Sequence, residues 1–323
     1  MSPRVRVGVL GTSSFAVRKM LPGLSACPSA TLVTVGTREP AGQAEFARGH
    51  GCRIESYEEV LAATDVDAVY VPLPAALHYP WALKALEAGK HVLSEKPAAL
   101  TVEQATILTA TAQERGLVLD ENVMFVHHPQ HQTVRELLGA GRLGTVREFR
   151  AVFTVPFQGD RDIRYSPELG GGALWDTGVY PVRAAQMLFD DVDVVSASYV
   201  MGTGGVDVAG VAVMRSGGVI VQVSFGIDHA YQNYYEVVGS TGRLRVERAF
   251  TPPADFRPEI VLTSGTGSDR LSTEPADQVM LAWSAFTERV LTADTSSGSL
   301  AAHASVLETL ALQPGGPLAR LVG

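Results

Sequence analysis

The first 122 residues alternate short apolar, β-branched runs with stretches of helical spacing, and that alternation restricts the fold more than any other feature of the chain. Val5–Leu10 ends in Gly11, and residues 16–27 then follow helical spacing. Residues 31–36 and 40–49 form a second strand–helix pair, 66–72 and 79–88 a third, and 91–93 and 101–115 a fourth, with Thr101 as N-cap. Residues 118–119 open a fifth strand. Strands joined by helices of this length make βαβ units and a parallel sheet. The strands are continuously apolar, as burial on both faces requires.

The pattern changes after residue 122. One more helix spans 131–140, and strand-forming runs follow at 146–155, 194–201, 208–214, 219–225, 234–238 and 244–248. Ser216-Gly217-Gly218 and Ser240-Thr241-Gly242 read as hairpin turns, so this sheet is largely antiparallel. Helices are expected at 172–188 and 278–292, and a loose tail at 313–317. A chain of 323 residues accommodates two such domains.

Composition narrows the function. The formal net charge is −8, so the surplus of Lys and Arg that drives non-specific nucleic-acid binding is missing, although a local site for one small anion is allowed. With 46% hydrophobic and 19% charged residues the chain reads as globular rather than disordered. No apolar run reaches membrane-spanning length, and the opening residues lack the pattern of a secretory signal. Cys27 and Cys52 are the only cysteines, which gives neither a disulfide framework nor a zinc pair and makes a reducing cytoplasm the simplest compartment. Only Lys19, Lys84, Lys90 and Lys96 are lysines, so a position that keeps Lys in an arginine-using chain draws notice.

The turn Gly8–Ala16 joins the first strand to the first helix. It reads Gly11-x-Ser13-x-x-Ala16 where the dinucleotide fingerprint has three glycines. Backbone N–H groups of Gly11, Thr12, Ser13, Ser14 and Phe15 at a helix N-terminus suit a pyrophosphate; an ordinary tight βα turn is the other reading. The second strand ends in Thr37-Arg38-Glu39, where an NAD site would place an acidic residue. A hydroxyl and a guanidinium suit the 2′-phosphate of NADP. Glu39 could instead bind the ribose or neutralise Arg38, and Arg38 could be a plain solvated charge.

Three segments then combine: Pro72-Leu73-Pro74-Ala75-Ala76-Leu77-His78, Glu95-Lys96-Pro97 and Asp176-Thr177-Gly178-Val179-Tyr180. Together they resemble the Gfo/Idh/MocA family of NAD(P)-dependent oxidoreductases. The stretches 121–131, 170–176 and 225–231 resemble its sugar 3-ketoreductase branch, which acts on dTDP-linked keto-deoxysugars of antibiotic pathways. The resemblance implies an α/β protein: a Rossmann domain over 1–122 binding NADP(H), then a second α/β domain over 123–323 with an open, mostly antiparallel sheet. That domain would bind the nucleotide-sugar and form a homodimer or homotetramer through its sheet. The resemblance also places Tyr57, Leu73, Pro74, His78, Glu95 and Asn122 near the cofactor, Phe125 beside the nicotinamide and His128 within reach of substrate.

Reducing a ketone by hydride transfer leaves an alkoxide that must be stabilised and protonated. Lys96 falls at the C-terminal end of a parallel strand, where ligands of such sheets bind, and is the expected proton donor or polarising group. A surface lysine paired with Glu95 is the bland alternative. Asp176 and Tyr180 are four apart on a helix and share a face. Tyr180 is expected as co-donor or orienting partner, with Asp176 near the nicotinamide ribose. A half-buried core ring is the other reading of Tyr180. His127, His128 and His131 lack a fourth ligand, and Pro129 is expected to interrupt their helix, so no metal is assigned. Arg164 is a candidate for cofactor or substrate contact, and Tyr231, Tyr234 and Thr251 for substrate. Rival readings are a Lys/Tyr-type dihydrodiol or sugar/polyol dehydrogenase, and a non-catalytic NADP-binding regulator.

Overall fold

A computed structural model describes residues 3–159, 162–265, 267–296 and 300–319. Its contacts divide the chain into two compact units, Met1–Asn122 with Val279–Ala304, and Val123–Gln278 with Ser305–Gly323.

The first unit is built on β1 (Val5–Leu10), α1 (Leu21–Ala26, entered through a π-helical turn over Ala16–Met20), β2 (Ala30–Gly36), α2 (Ala44–His50), β3 (Arg53–Glu55), α3 (Tyr57–Ala62), β4 (Ala68–Val71), α4 (Ala75–Glu87), β5 (His91–Glu95), α5 (Val102–Arg115) and β6 (Leu119–Asn122). The strands form one parallel sheet in the order β3-β2-β1-β4-β5-β6. This is the Rossmann arrangement. The order reverses between β1 and β4, and ligands of such sheets bind outside the strand ends at that point. Val7, Val9, Val69, Val71 and Val92 are fully buried, as the continuously apolar strands require. Thr101 caps α5, its Oγ1 accepting from Gln104 N at 3.2 Å.

The edge strand β3 and the short helix α3 lie where the sequence showed no periodicity. The Ser56–Glu59 capping box starts α3, with Ser56 N donating to Glu59 Oε2 at 2.7 Å.

The second unit contains α6 (Pro129–Gly139), β7 (Val146–Thr154), α7 (Val179–Leu188, entered through a π-helical turn over Leu174–Gly178), β8 (Asp193–Met201), β9 (Asp207–Ser216), β10 (Val219–Gly226), β11 (Gln232–Gly239), β12 (Gly242–Glu247), β13 (Glu259–Ser264) and β14 (Gly267–Ser272). Its eight strands run in the order β14-β13-β12-β11-β7-β10-β9-β8. Among the described residues only the β7–β10 pairing is parallel, so the sheet is mostly antiparallel. Strand alternation sends Phe149, Ala151 and Phe153 to the covered face, while Val211, Val213 and Ile220 stand on the open face. Pro129 opens α6 at its first position instead of interrupting a helix.

Two helices follow among the described residues, α8 (Gln278–Leu291) and α9 (Leu300–Ala311). Residues Val279–Ala304 pack with the parallel sheet, so 123–323 is not one continuous unit. Trp283 accounts for this return: its indole is fully buried edge-on to Tyr70 at 5.5 Å and donates to Met20 O at 3.0 Å. Among the described residues no helix is long and apolar enough to cross a membrane.

Candidate active site

The phosphate turn is fixed by its own backbone. Gly11 N donates to Gly36 O at 2.9 Å, and Gly11 adopts φ +108°. A Cβ there would approach Leu73 Cδ2 to 3.0 Å, so both conformation and space call for glycine. Ser13 stands where the fingerprint has its second glycine, and its Oγ accepts from Ala16 N at 3.1 Å. Ala16 is fully buried, while Thr12, Ser14 and Phe15 are exposed. Tyr57 packs edge-on against Trp81 at 4.9 Å, with its hydroxyl towards Gly11. Burial raises the Tyr57 phenol, and the nearby Arg38 charge opposes that shift.

Thr37 is buried, and its hydroxyl accepts from Glu39 N at 2.9 Å, closing a turn that leaves Arg38 exposed. Among the described residues neither Arg38 nor Glu39 forms an ion pair, so Glu39 does not neutralise Arg38. An exposed glycine-based turn with an unspent guanidinium at the end of β2 fits a dinucleotide bearing a 2′-phosphate.

Lys96 follows β5, is half-buried, and precedes Pro97 through a cis peptide bond. The loop around it is clamped on several sides. Glu95 Oε1 accepts from Tyr70 Oη at 2.7 Å and Asn122 Nδ2 at 2.6 Å, and Glu95 Oε2 from Lys96 N at 3.4 Å. Parallel register sets up the second contact, because Glu95 and Asn122 are partners across β5 and β6. His78 Nδ1 lies 2.7 Å from Pro97 O, and its Nε2 lies 2.6 Å from Leu73 O. Glu121 Oε1 accepts from Ala98 N at 2.9 Å, and Glu121 Oε2 lies 2.7 Å from His303 Nδ1 of α9. Both side chains of that last pair are buried, at 0% and 6% exposure.

One expectation changes here, and three further residues join the surroundings of Lys96. His78 is 1% exposed with both ring nitrogens on backbone carbonyls, so it holds the Leu73 and Pro97 loops together and does not face a ligand. Glu121, His303 and Tyr70 belong to the Lys96 surroundings although the sequence reading gave them no role. Asn122 keeps one buried acceptor, Oδ1, without a partner. A buried orphan of this kind is what a bound amide or hydroxyl would satisfy.

In the second unit, Tyr180 is 9% exposed in an aromatic cluster: Phe153 at 4.9 Å, Phe250 at 6.0 Å and Phe125 at 6.1 Å between ring centroids. Phe125 is fully buried, so it forms the floor beneath Tyr180 and is not a ligand-lining ring. His131 is also fully buried, with Nδ1 2.8 Å from Tyr235 Oη and Nε2 3.0 Å from Ala249 O; burial lowers its pKa to about 3. His128 Nδ1 caps α6 by accepting from Gln130 N at 3.3 Å, and its buried Nε2 has no partner. His127 is exposed, and among the described residues no three His, Cys, Asp or Glu side chains are arranged to hold a metal.

Arg164 is not a spare cation. Its Nε donates to Asp176 Oδ2 at 2.5 Å and its Nη1 to Asp162 Oδ1 at 2.9 Å. Burial opposes the charge, but Asp176 and Asp162 together hold the guanidinium firmly protonated. Asp176 lies in the π-helical turn ahead of α7, and Arg164 is among its partners. The start of that turn rests on Asp207, whose Oδ2 accepts from Leu174 N at 2.7 Å. Burial pushes the Asp207 carboxyl up to about 6, and its Oδ1 has no partner.

The three candidates from the second sheet separate. Tyr231, Asn233 and Thr251 form one hydrogen-bonded group, with Asn233 Nδ2 donating to Tyr231 Oη at 2.9 Å and to Thr251 Oγ1 at 2.7 Å. Asn233 pairs with Phe153 across β7, which places this group on the covered face. Tyr234 is the next residue along and therefore points to the open face, where the Arg245 guanidinium stacks on it at 3.7 Å. It does not share a face with Tyr180.

Comparison with known proteins agrees with this architecture. Residues 5–123 match the family model described as "Oxidoreductase family, NAD-binding Rossmann fold", and residues 131–245 match the "GFO/IDH/MocA C-terminal domain". A dTDP-3,4-didehydro-2,6-dideoxy-alpha-D-glucose 3-reductase from Saccharopolyspora spinosa is 44% identical over 290 residues, covering 88% of this chain and 87% of the relative. One of the same name from Actinomadura kijaniata is 43% identical over 294 residues, covering 90% and 89%. A crystal structure of a 3-ketoreductase from Actinomadura kijaniata in complex with NADP and TDP-benzene superposes with a TM-score of 0.91 at 40% identity, covering 97% of this chain and 98% of that one. From the Gly11 turn through the Glu95-Lys96-Pro97 loop to the open antiparallel sheet, the chain belongs to the Gfo/Idh/MocA oxidoreductase family.

Proposed function

We propose that this protein is an NADPH-dependent reductase of the C-3 ketone of a dTDP-linked keto-deoxysugar. Support comes from its similarity along most of its length to dTDP-sugar 3-reductases and from a structural neighbour crystallised with NADP and TDP-benzene. The observation that carries the reading is the Lys96 loop: a half-buried lysine at the end of a parallel strand, whose backbone is fixed through Glu95, His78 and Glu121.

When bound, NADPH supplies the hydride. Gly11, Thr12, Ser13, Ser14 and Phe15 would hold its pyrophosphate, Thr37 and Arg38 its 2′-phosphate end, and Tyr57, Leu73, Pro74 and Glu95 the walls of that site, with Asn122 Oδ1 offering the unmet acceptor. Lys96 Nζ donates a proton to the oxygen that gains negative charge, and its clamps limit the reorganisation that step requires. Tyr180 orients the same oxygen or shares the donation. The ion pair between Asp176 and Arg164 steadies the turn leading to Tyr180. His128, Tyr231 and Thr251 serve the substrate, and Phe125 supports Tyr180 from below. The open face with Val211, Val213 and Ile220 would bury against a second copy in a homodimer or homotetramer, and two free thiols suit a cytoplasmic setting.

Thermal stability measured with added ligands tests this reading. At one hundred times Kd a ligand specific for the folded state adds about 2.7 kcal/mol. NADPH is expected to stabilise at lower concentration than NADH, and dTDP to stabilise further. Stabilisation by NADPH with none by dTDP would favour a sugar or polyol dehydrogenase acting without a nucleotide.

A further inference from the structure

On the covered face of the second sheet an aromatic row leads away from Tyr180. Tyr180 meets Phe153 at 4.9 Å, Phe153 meets Tyr231 at 6.4 Å, and the Arg248 guanidinium lies 5.2 Å from the Tyr231 ring centroid. Tyr231 is 42% exposed, so this end of the row is open to ligands. Its hydroxyl is already fixed by Asn233 and Thr251. The strand ends around it border a cleft of about 280 Å³ lined by Tyr231, Asn233 and Arg248 and, from the open face, by Tyr234, Arg245 and Glu247.

Arg248 differs from its neighbours in two ways. Arg245 pairs with Glu247 at 2.6 Å and Arg243 with Glu236 at 3.4 Å, whereas among the described residues Arg248 pairs with no carboxylate. Arg248 also adopts φ +50°, a left-handed conformation that a long side chain rarely takes. Backbone outliers of this kind concentrate where a side chain is aimed at a ligand. Here the outlier directs an unspent guanidinium over the Tyr231 ring, at the far end of the row from the hydroxyl assigned to the ketone.

A nucleotide-linked sugar has the same polarity: a carbonyl at one end, then a diphosphate, then a base. Resting on the nucleotide-sugar reading above, we propose that Arg248 receives the diphosphate of the substrate, with Tyr231 as the surface along which it lies. Charge-assisted, bidentate bonding makes Arg the fitting residue for this anion. The site gives a protein of net charge −8 a local cation for a doubly anionic ligand.

The test is calorimetric titration of the full-length protein, in the presence of NADPH, with dTDP and with thymidine. Variants are Arg248→Ala and Arg248→Lys. Arg248→Ala is expected to weaken dTDP binding about 10- to 100-fold. Thymidine and NADPH binding should stay within about twofold, and Arg248→Lys should recover part of the loss, because charge survives without the bidentate fork. Arg248 is exposed, so both variants are expected to fold, and NADPH binding reports that they do. If Arg248→Ala binds dTDP as wild type does, the diphosphate site is wrong while the nucleotide reading stands. If NADPH binding falls and dTDP binding does not, Arg248 serves the cofactor and the proposal fails. If wild type binds no dTDP, the nucleotide reading fails and this proposal with it.

Discussion

The loop that carries Lys96 and the ring of Tyr180, the two residues proposed above to act on the carbonyl, differ in their surroundings. The Lys96 loop is fixed by directional bonds: His78 to the Pro97 carbonyl, Glu121 to the Ala98 N–H, and Glu95 between Tyr70 and Asn122. The Tyr180 ring is packed against Phe125, Phe153 and Phe250. Directional clamps fail when one atom changes its hydrogen-bonding role, even at constant volume. Aromatic packing tolerates a lost hydroxyl but not a lost ring. The two regions should therefore respond to different substitutions.

The largest effect is expected from Lys96→Ala. Loss of a positioned proton donor should lower kcat by about 10²- to 10⁴-fold. NADPH affinity, measured in the same preparation, should change little, because the phosphate turn does not depend on that ammonium. Phe250→Ala should cost about 3–5 kcal/mol of stability in denaturant titration, since the ring is fully buried. Tyr180→Phe should leave that stability within about 1 kcal/mol and lower kcat alone; unchanged turnover would make Tyr180 a packing residue.

Glu121→Gln probes the clamp without changing size. The amide oxygen can still accept from Ala98 N, but the charge facing His303 is lost. We expect kcat to fall roughly tenfold with KM for NADPH nearly constant, because the residue positions the loop and touches neither ligand. Equal losses in kcat and melting temperature in Glu121→Gln and in a buried-core control would reduce the pair to a fold contact.

The smallest effect concerns Asp207. Burial lifts its carboxyl to about 6 from an ordinary 3.8, so the folded state favours the protonated form. Stability should fall as pH rises through that window, by at most about 3 kcal/mol. Asp207→Asn retains an acceptor for Leu174 N and removes the charge. Its unfolding free energy, from denaturant titration, should lack this slope, and above pH 6 the variant should be more stable than wild type by on the order of 1 kcal/mol.

The parallel sheet was legible because each βαβ unit carries its signal locally, in apolar runs and in caps such as Thr101. What escaped was short or polar. Three-residue β3 has no measurable period, and β14 is an almost wholly exposed edge strand. Lys96 and Tyr180 stood out through their motifs, but the clamps did not. Glu121 and His303 are 182 residues apart, and only the return of the late helices brings them together. Residue type ignores strand alternation, so it did not show that Tyr234 faces away from Tyr180 and that its neighbour Asn233 is the one on the Tyr180 face. Arg164 looked like a free cation because its two carboxylates act through a folded turn.

Turnover itself tests the central claim most directly. The purified protein is mixed with NADPH and dTDP-3,4-didehydro-2,6-dideoxyglucose, and nicotinamide oxidation is followed together with the structure of the sugar product. The account predicts stoichiometric oxidation of NADPH with a new hydroxyl at C-3. Absence of oxidation by a protein that binds both ligands, or reduction at another carbon, would contradict it.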